Sequence, residues 1–317
     1  MTDPSHVLVT GGAGFIGSHL VDLLLERGVD VTVLDKLTYA GTRENLRTHE
    51  GNRALRFVQG DVADPSSVEP LVADADHVIH AAAESFVDRS IADSRVFVET
   101  NVLGTQVVLE ACRRADTPLV FVSTDEVYGS RAEGRFTEAD PLRPNSPYAA
   151  SKAGADLLCR SSHVTYGLPV TVARGTNAYG PRQHPEKAIP VYALAALEGR
   201  PIPVYGDGSN RREWLFVRDF ARGILAVMDG GVAGGLYNLG GGSELPNLEL
   251  AARVCALAGA PESLIELVPD RPGHDFRYSL DWSKLAALGW EPETSFDDGL
   301  AQTVEWYRSH ARQEVSR

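Results

Sequence analysis

A buried apolar run, Val7-Leu8-Val9, leads straight into Thr10-Gly11-Gly12-Ala13-Gly14-Phe15-Ile16-Gly17, and Ser18 to Arg27 then carries the spacing of an amphipathic helix. Strand, glycine turn and helix in that order leave few folds open. Glycine permits positive φ and close backbone approach, and a helix N-terminus presents unpaired amides. The GxxGxxG spacing at Gly11, Gly14 and Gly17 can therefore receive a pyrophosphate. The next apolar run, Val31 to Leu34, ends in Asp35, where an acid can bond an adenosine ribose and repel a 2′-phosphate. NAD is thus expected rather than NADP. A turn needed only for packing, with Asp35 capping a loop, is the plainer alternative.

Further short apolar runs follow, without forming an internal repeat. Phe57-Val58 leads to Gly60-Asp61, His77 to His80 leads to Ala81-Ala82-Ala83, and Leu119 to Val122 leads to Ser123-Thr124, with a helical pattern over Asn101 to Arg114 between the last two. Short branched strands alternating with helices predict an α/β fold, a Rossmann-type doubly wound parallel sheet whose ligands sit beyond the strand carboxyl ends. After a strand at Val170 to Ala173, prolines and glycines multiply from Gly180 to Gly208. Helices are expected at Ile189 to Glu198, Asp219 to Met228, Asn247 to Leu257 and Gly299 to Arg308, with a strand at Trp214 to Val217. This later part reads as a smaller C-terminal substrate-binding α/β lobe. The expected division is 1–173 plus about 211–240 for the NAD-binding domain, and about 174–210 plus 241–317 for the other.

The chemistry concentrates in Thr124-Asp125-Glu126 and in Tyr148 with Lys152. Four residues apart on a helix, Tyr148 and Lys152 share a face, where an ammonium can lower a phenol's pKa and favour a phenolate base. Asp125 and Glu126 offer a second proton-transfer pair. A solvated loop pair, and a Thr124 that merely caps a turn, are the plainer readings. The net charge of −13 argues against nucleic-acid or anionic-membrane partners, so a small molecule is expected. Cys112, Cys159 and Cys255 form no CxxC pair, no basic leader precedes the first apolar run, and no apolar span is long enough to cross a bilayer. A cytoplasmic protein is expected. No spacing suggests a metal, and His163 and His184 read as ordinary loop or helix residues.

Nearly end to end, the chain resembles the extended short-chain dehydrogenase/reductases and, within them, the dTDP-glucose 4,6-dehydratases. The glycine turn and YxxxK carry the broader likeness. The narrower one rests on the Asp-Glu pair in STDEVYGS (123 to 130), on AAES (82 to 85) and on RPGHD (271 to 275), beside LDKLTYAG (34 to 41), ETNVLGT (99 to 105) and HPEK (184 to 187). The resemblance implies a homodimer through a four-helix bundle built on the helices from Asn101 and Tyr148. Beyond the glycine turn, it implies NAD contacts from Phe15, Ile16, Asp35, Lys36, Leu37, Thr38 and Gly41. Further on they come from Asp61, Val62, Ala81, Ala82, Ala83, Thr100, Tyr148 and Lys152.

The reaction so implied oxidises C4 of the glucosyl unit of dTDP-glucose, which makes the C5 proton acidic. Tyr148, with Lys152 and Thr124, takes the 4-hydroxyl proton; Glu126 removes the C5 proton; Asp125 protonates the departing 6-hydroxyl; hydride returns to C6. For the sugar nucleotide the candidates are Lys187, Arg212 and Arg271 as cations, Asn177, Asn238 and His274 as hydrogen-bonding groups, Ser85 and Thr124 at the sugar, and Pro203, Val204 and Tyr205 at the base. Phe86 stands where those dehydratases commonly carry His, Asn177-Ala178 where they carry paired Asn, and Gly175-Thr176 in a stretch that more usually contains Cys. A 4-epimerase, a dehydratase of UDP-sugars, and an idle NAD-binding regulator are the competing readings.

Overall fold

The structure, a computed structural model, describes residues 4–270 and 272–314. The branched runs form β1 (His6–Thr10), β2 (Asp30–Asp35), β3 (Leu55–Gln59), β4 (His77–His80), β5 (Leu119–Thr124) and β6 (Val170–Gly175). Later come β7 (Asn177–Tyr179), β8 (Ile202–Tyr205), β9 (Arg211–Phe216), β10 (Leu236–Leu239), β11 (Ser243–Pro246) and β12 (Ile265–Val268). The large sheet has the order β10-β6-β5-β4-β1-β2-β3, and every pair in it is parallel. All its carboxyl ends therefore open on one edge, and the strand order reverses between β1 and β4.

Side-chain alternation along the strands builds a core on each face. Val7, Val9 and Val33 join Leu20, Leu24, Phe220 and Ile224 on one side, while Leu8, Leu34 and Val78 join Val108, Phe121 and Cys159 on the other. Burying each such side chain stabilises the fold by roughly 1.5–3 kcal/mol. A smaller sheet, β11-β9-β7, has β9 at its centre, and β8 pairs with β12. Their core contains Tyr179, Ile189, Trp214, Leu250 and Leu300. From β9 the helix Val217–Gly230 returns to pack on the helix Phe15–Glu26, and β10 extends the large sheet.

Helix ends follow local chemistry. The helix Pro147–Tyr166 starts on Ser146, whose Oγ accepts from the Ala149 amide at 3.1 Å, and stops at Gly167 with φ of 73°. The first helix begins at Phe15 rather than at the expected Ser18, because the chain turns helical directly after Gly14. The helix expected from Asn101 is α-helical only over Thr105–Ala115 and is preceded by a wider π-type stretch, Val98–Gly104. Among the described residues no helix is long and apolar enough to cross a membrane.

Candidate active site

At the sheet's switch point the glycine turn folds against the start of the first helix. Gly11 has φ of 72°, and a Cβ there would lie 2.7 Å from the Ala82 backbone; a Cβ on Gly17 would lie 2.1 Å from the Gly11 carbonyl oxygen. Only glycines permit this cradle. Asp35 Oδ2 accepts the Ala13 amide at 3.0 Å and Oδ1 the Leu37 amide at 2.8 Å, while burial holds its carboxyl above the ordinary value against those two bonds. Under the turn, His80 bridges Thr10 Oγ1 at 2.7 Å and Thr105 Oγ1 at 3.0 Å, and Asn101 bonds both backbone groups of Glu84 and the Ser151 hydroxyl.

The resulting cleft is lined by Gly11, Gly14, Phe15, Ile16 and Gly17, by Asp35, Lys36, Thr38 and Gly41, and by Asp61, Val62, Ala81, Ala82, Ala83, Thr100, Tyr148 and Lys152. Leu37 departs from expectation. Its amide holds Asp35, but its side chain packs on the core instead of facing the cleft.

Beyond Tyr148 the cleft opens into a cavity of about 600 Å³ between the two sheets. Here β5 runs into the 3₁₀ turn Asp125–Tyr128. Thr124 caps that turn, its Oγ1 accepting from the Glu126 amide and donating to Asp125 Oδ1, both at 3.3 Å. Asp125 is 2 % exposed, and its Oδ2 has no hydrogen-bond partner among the described residues. Burial, then the Glu126 charge, raises its carboxyl well above the ordinary value, with Glu213 adding to the rise and Thr176 and Arg212 opposing it. Glu126 is half-buried, so the two neighbouring carboxyls occupy different surroundings.

Tyr148 is 8 % exposed. Burial, then the charge of Glu126, lifts its phenol above the ordinary value, while a hydrogen bond with Thr124 opposes the rise. The expected lowering by Lys152 is not what the folded chain shows. Lys152 Nζ donates to the Val122 carbonyl at 2.7 Å and lies 4.2 Å from the centre of the Phe121 ring; burial lowers its pKa to about 8.

Of the residues expected to meet a sugar nucleotide, Ser85, Thr124, Asn177, Lys187, Pro203, Tyr205, Arg212 and His274 line this cavity. Arg212 is held by the carbonyls of Arg211, Phe276 and Asp275 at 2.7, 3.2 and 2.8 Å and lies over the Tyr278 ring. Lys187 Nζ donates to the Ser85 carbonyl at 2.6 Å, and His274 Nδ1 lies 2.6 Å from Asp270. Two expectations are corrected. Val204 points the other way along β8 and is fully buried in the small core, as period-two alternation beside Pro203 and Tyr205 requires. Asn238 is 0 % exposed and bonded to Tyr128, Phe136 and Asp281, away from the cavity. Arg271 lies outside the described residues.

Sequence reasoning missed the loop after Pro181. Gln183 and Glu186 line both cleft and cavity, and His184, expected to be an ordinary residue, lines the cleft. Tyr39 meets this loop from the other side, its hydroxyl donating to Glu186 at 3.1 Å and its ring edge-on to His184. HPEK was the available signal. His163 is ordinary, its Nδ1 2.9 Å from the Leu168 carbonyl.

One test of fit for a ligand is polar satisfaction. Glu84 Oε2, Ser123 Oγ, Asp125 Oδ2, Asn177 Nδ2, Gln183 Oε1 and Trp214 Nε1 are buried without hydrogen-bond partners among the described residues, and all belong to residues lining the cleft or cavity. Unpaired groups gathered in this way suit a polar ligand, and the glycine cradle suits a dinucleotide.

The family model described as GDP-mannose 4,6 dehydratase matches residues 8–303. A dTDP-glucose 4,6-dehydratase of Streptomyces niveus is 52 % identical over 312 residues, spanning 96 % of this chain and 93 % of that protein. The crystal structure of a dTDP-glucose 4,6-dehydratase from Streptomyces venezuelae with NAD and TYD bound superposes with a TM-score of 0.95 at 51 % identity, covering 97 % of this chain and 98 % of that one. A UDP-glucose 4-epimerase of Thermus thermophilus in complex with NAD superposes at 0.88 with 38 % identity, covering 96 % and 99 %. Fold alone therefore does not separate elimination from epimerisation.

Proposed function

The chain belongs to the extended short-chain dehydrogenase/reductase family of nucleotide-sugar dehydratases, and from that membership and its site we propose that it converts dTDP-glucose to dTDP-4-keto-6-deoxyglucose and water, with NAD as cofactor. The observation that carries this reading is the Asp125-Glu126 pair. A buried carboxyl whose pKa burial and its neighbour's charge raise stands beside a less buried one, in the same cavity as Tyr148. An epimerase needs the tyrosine but has no use for that acid and base.

Bound NAD supplies reversible hydride transfer, from C4 and back to C6. The glycine cradle would hold its pyrophosphate and Asp35 its ribose hydroxyls, with Asp61 and Val62 lining the same cleft. Tyr148, oriented by Thr124, takes the 4-hydroxyl proton. Its phenol is raised in the chain alone, and the positive charge of Lys152, joined by that of NAD when bound, would favour the phenolate. Glu126 removes the C5 proton once C4 is a ketone, and Asp125 gives its proton to the leaving 6-hydroxyl. Glu126 then returns a proton to C5, and the bookkeeping closes with one water released and no external reductant. Arg212, already fixed by three carbonyls, faces the diphosphate; Tyr205 and Pro203 flank the base, with Lys187, Asn177, Ser85 and His274 around the remainder.

The same proposal includes the division into an NAD lobe and a sugar-nucleotide lobe, supported by the separate sheets, and a homodimer. It also includes work in the reducing cytoplasm, supported by three buried free cysteines. Incubation with dTDP-glucose and no added reductant is expected to yield a product with the alkali-induced absorbance of a 4-keto-6-deoxy sugar. Formation of dTDP-galactose, or no turnover across dTDP- and UDP-sugars, would overturn the reading.

A further inference from the structure

Tyr128 closes the turn that begins with Asp125 and Glu126, and its ring is 2 % exposed, stacked on Phe136 at 5.0 Å between centroids. Its hydroxyl donates to Asn238 Oδ1 at 2.8 Å and accepts from Arg174 Nη1 at 2.8 Å. The same guanidinium holds Asp156 through Nε and Nη2, both at 2.8 Å, in an ion pair whose side chains are 4 % and 2 % exposed. Asp156 lies on the helix of Tyr148 and Lys152, one turn beyond the lysine. Asn238 carries the chain of bonds onward to the carbonyls of Phe136 and Asp281 at 3.1 Å. None of Tyr128, Arg174, Asp156 or Asn238 lines the cleft or the cavity.

A buried ion pair of this kind is a poor device for stability. Desolvation of both charges largely offsets their attraction, and apolar residues of similar volume would serve the core as well. What the bonds add is direction, because a bidentate guanidinium and an oriented phenol fix angles that apolar packing leaves free. They connect the turn of the elimination pair to the helix of the redox pair.

We propose that Tyr128, Arg174 and Asp156 form a buried brace that sets Asp125 and Glu126 in register with Tyr148 and Lys152. They are positioning residues. Within one turnover Tyr148 works at C4 and Glu126 at the adjacent C5, on opposite sides of one bond in a substrate that stays in place. An error of about an ångström between the two pairs would leave oxidation running and strand the ketone before elimination. The inference rests on the dehydratase reading, and its test separates the two.

Tyr128→Phe keeps the stacked ring and removes only the hydroxyl. With dTDP-glucose it is expected to accumulate the near-ultraviolet absorbance of reduced nicotinamide during steady state. Its kcat for the 4-keto-6-deoxy product should fall by about tenfold or more with KM changed much less. Val68→Ala, a cavity in the distant helix Pro65–Ala73, controls for simple destabilisation and should show neither effect. Independently of turnover, amide hydrogen exchange over Asp125–Tyr128 should quicken in Tyr128→Phe and not in Val68→Ala. Wild-type kcat with no absorbance build-up, unchanged exchange in the turn, or the same changes in Val68→Ala would each overturn the brace. If wild-type protein makes no 4-keto product, the dehydratase reading fails, and the exchange comparison alone decides whether the turn and helix are coupled.

Discussion

Two adjacent carboxylic acids can take opposite roles only if their surroundings push their pKa values apart, and the consecutive Asp125 and Glu126 are buried and half-buried respectively. Burial, then its neighbour's charge, penalises the Asp125 anion and raises its carboxyl well above the usual range, which favours the protonated acid. Elimination should therefore be supported on the acid side and lost as pH rises through that raised value. C4 oxidation, which in the proposed mechanism needs Tyr148 deprotonated, should strengthen as pH rises. Single-turnover measurements at increasing pH should show product formation falling while hydride transfer from C4 persists; the two falling together would refute the assignment. Glu126→Gln is expected to oxidise C4 yet lose solvent deuterium incorporation at C5 by a factor of about 10²–10⁴, the usual worth of a general base. Asp125→Asn is expected to keep C5 exchange and lose water release. Normal dehydration in either variant removes that residue from its role.

At the scale of elements, the strand ends were the legible part. Gly11, Asp35, Asp61, Ala82 and Thr124 each follow a short branched run, and parallel pairing brings such positions to one edge whatever the intervening helices do. Tyr148 and Lys152 were legible for the same reason, since helical spacing is local. What sequence could not give were contacts made by returning chain. Gln183, His184 and Glu186 reach the cleft from a loop whose path depends on the small sheet. Asn238 looks like a hydrogen-bonding group for a ligand, but it lies within β10 and is consumed by Tyr128 and two carbonyls that come from far along the chain. Val204 is legible too, since Pro203 and Tyr205 on one face of β8 place it on the other, in the small core.

His80 at the end of β4 carries a prediction of this kind. Burial lowers its pKa from 6.5 to about 3, so it is neutral in the fold and protonates readily only when unfolded. The unfolded chain therefore binds more protons between those values, and stability that is full above pH 6.5 is lost as pH falls toward about 3. His80→Gln should flatten denaturant-derived stability against pH across that window, relative to wild type. An unchanged slope would place the acid sensitivity elsewhere.

On the scale of the whole molecule, the apolar surface is unevenly placed. Val98 and Leu103 on the π-type stretch are 53 % and 48 % exposed, and Leu157 and Val164 on the neighbouring helix are 55 % and 65 % exposed. Leu157 and Val164 stand seven residues apart, which puts them on one face two turns along. The two helical segments pack side by side, so a twofold copy seated on them would complete a bundle of four. The same segments carry Thr100, Tyr148 and Lys152, and assembly would therefore stiffen the site as well as cover the surface. Sedimentation at micromolar concentration is expected to give twice the chain mass, and Leu157→Glu with Val164→Glu to give the single chain. Because both side chains point away from the core, the double variant should keep its fold by circular dichroism while kcat falls. A monomeric wild-type protein would show that this face is left open, and a monomeric variant with full activity would show that the catalytic helix holds its shape without a partner.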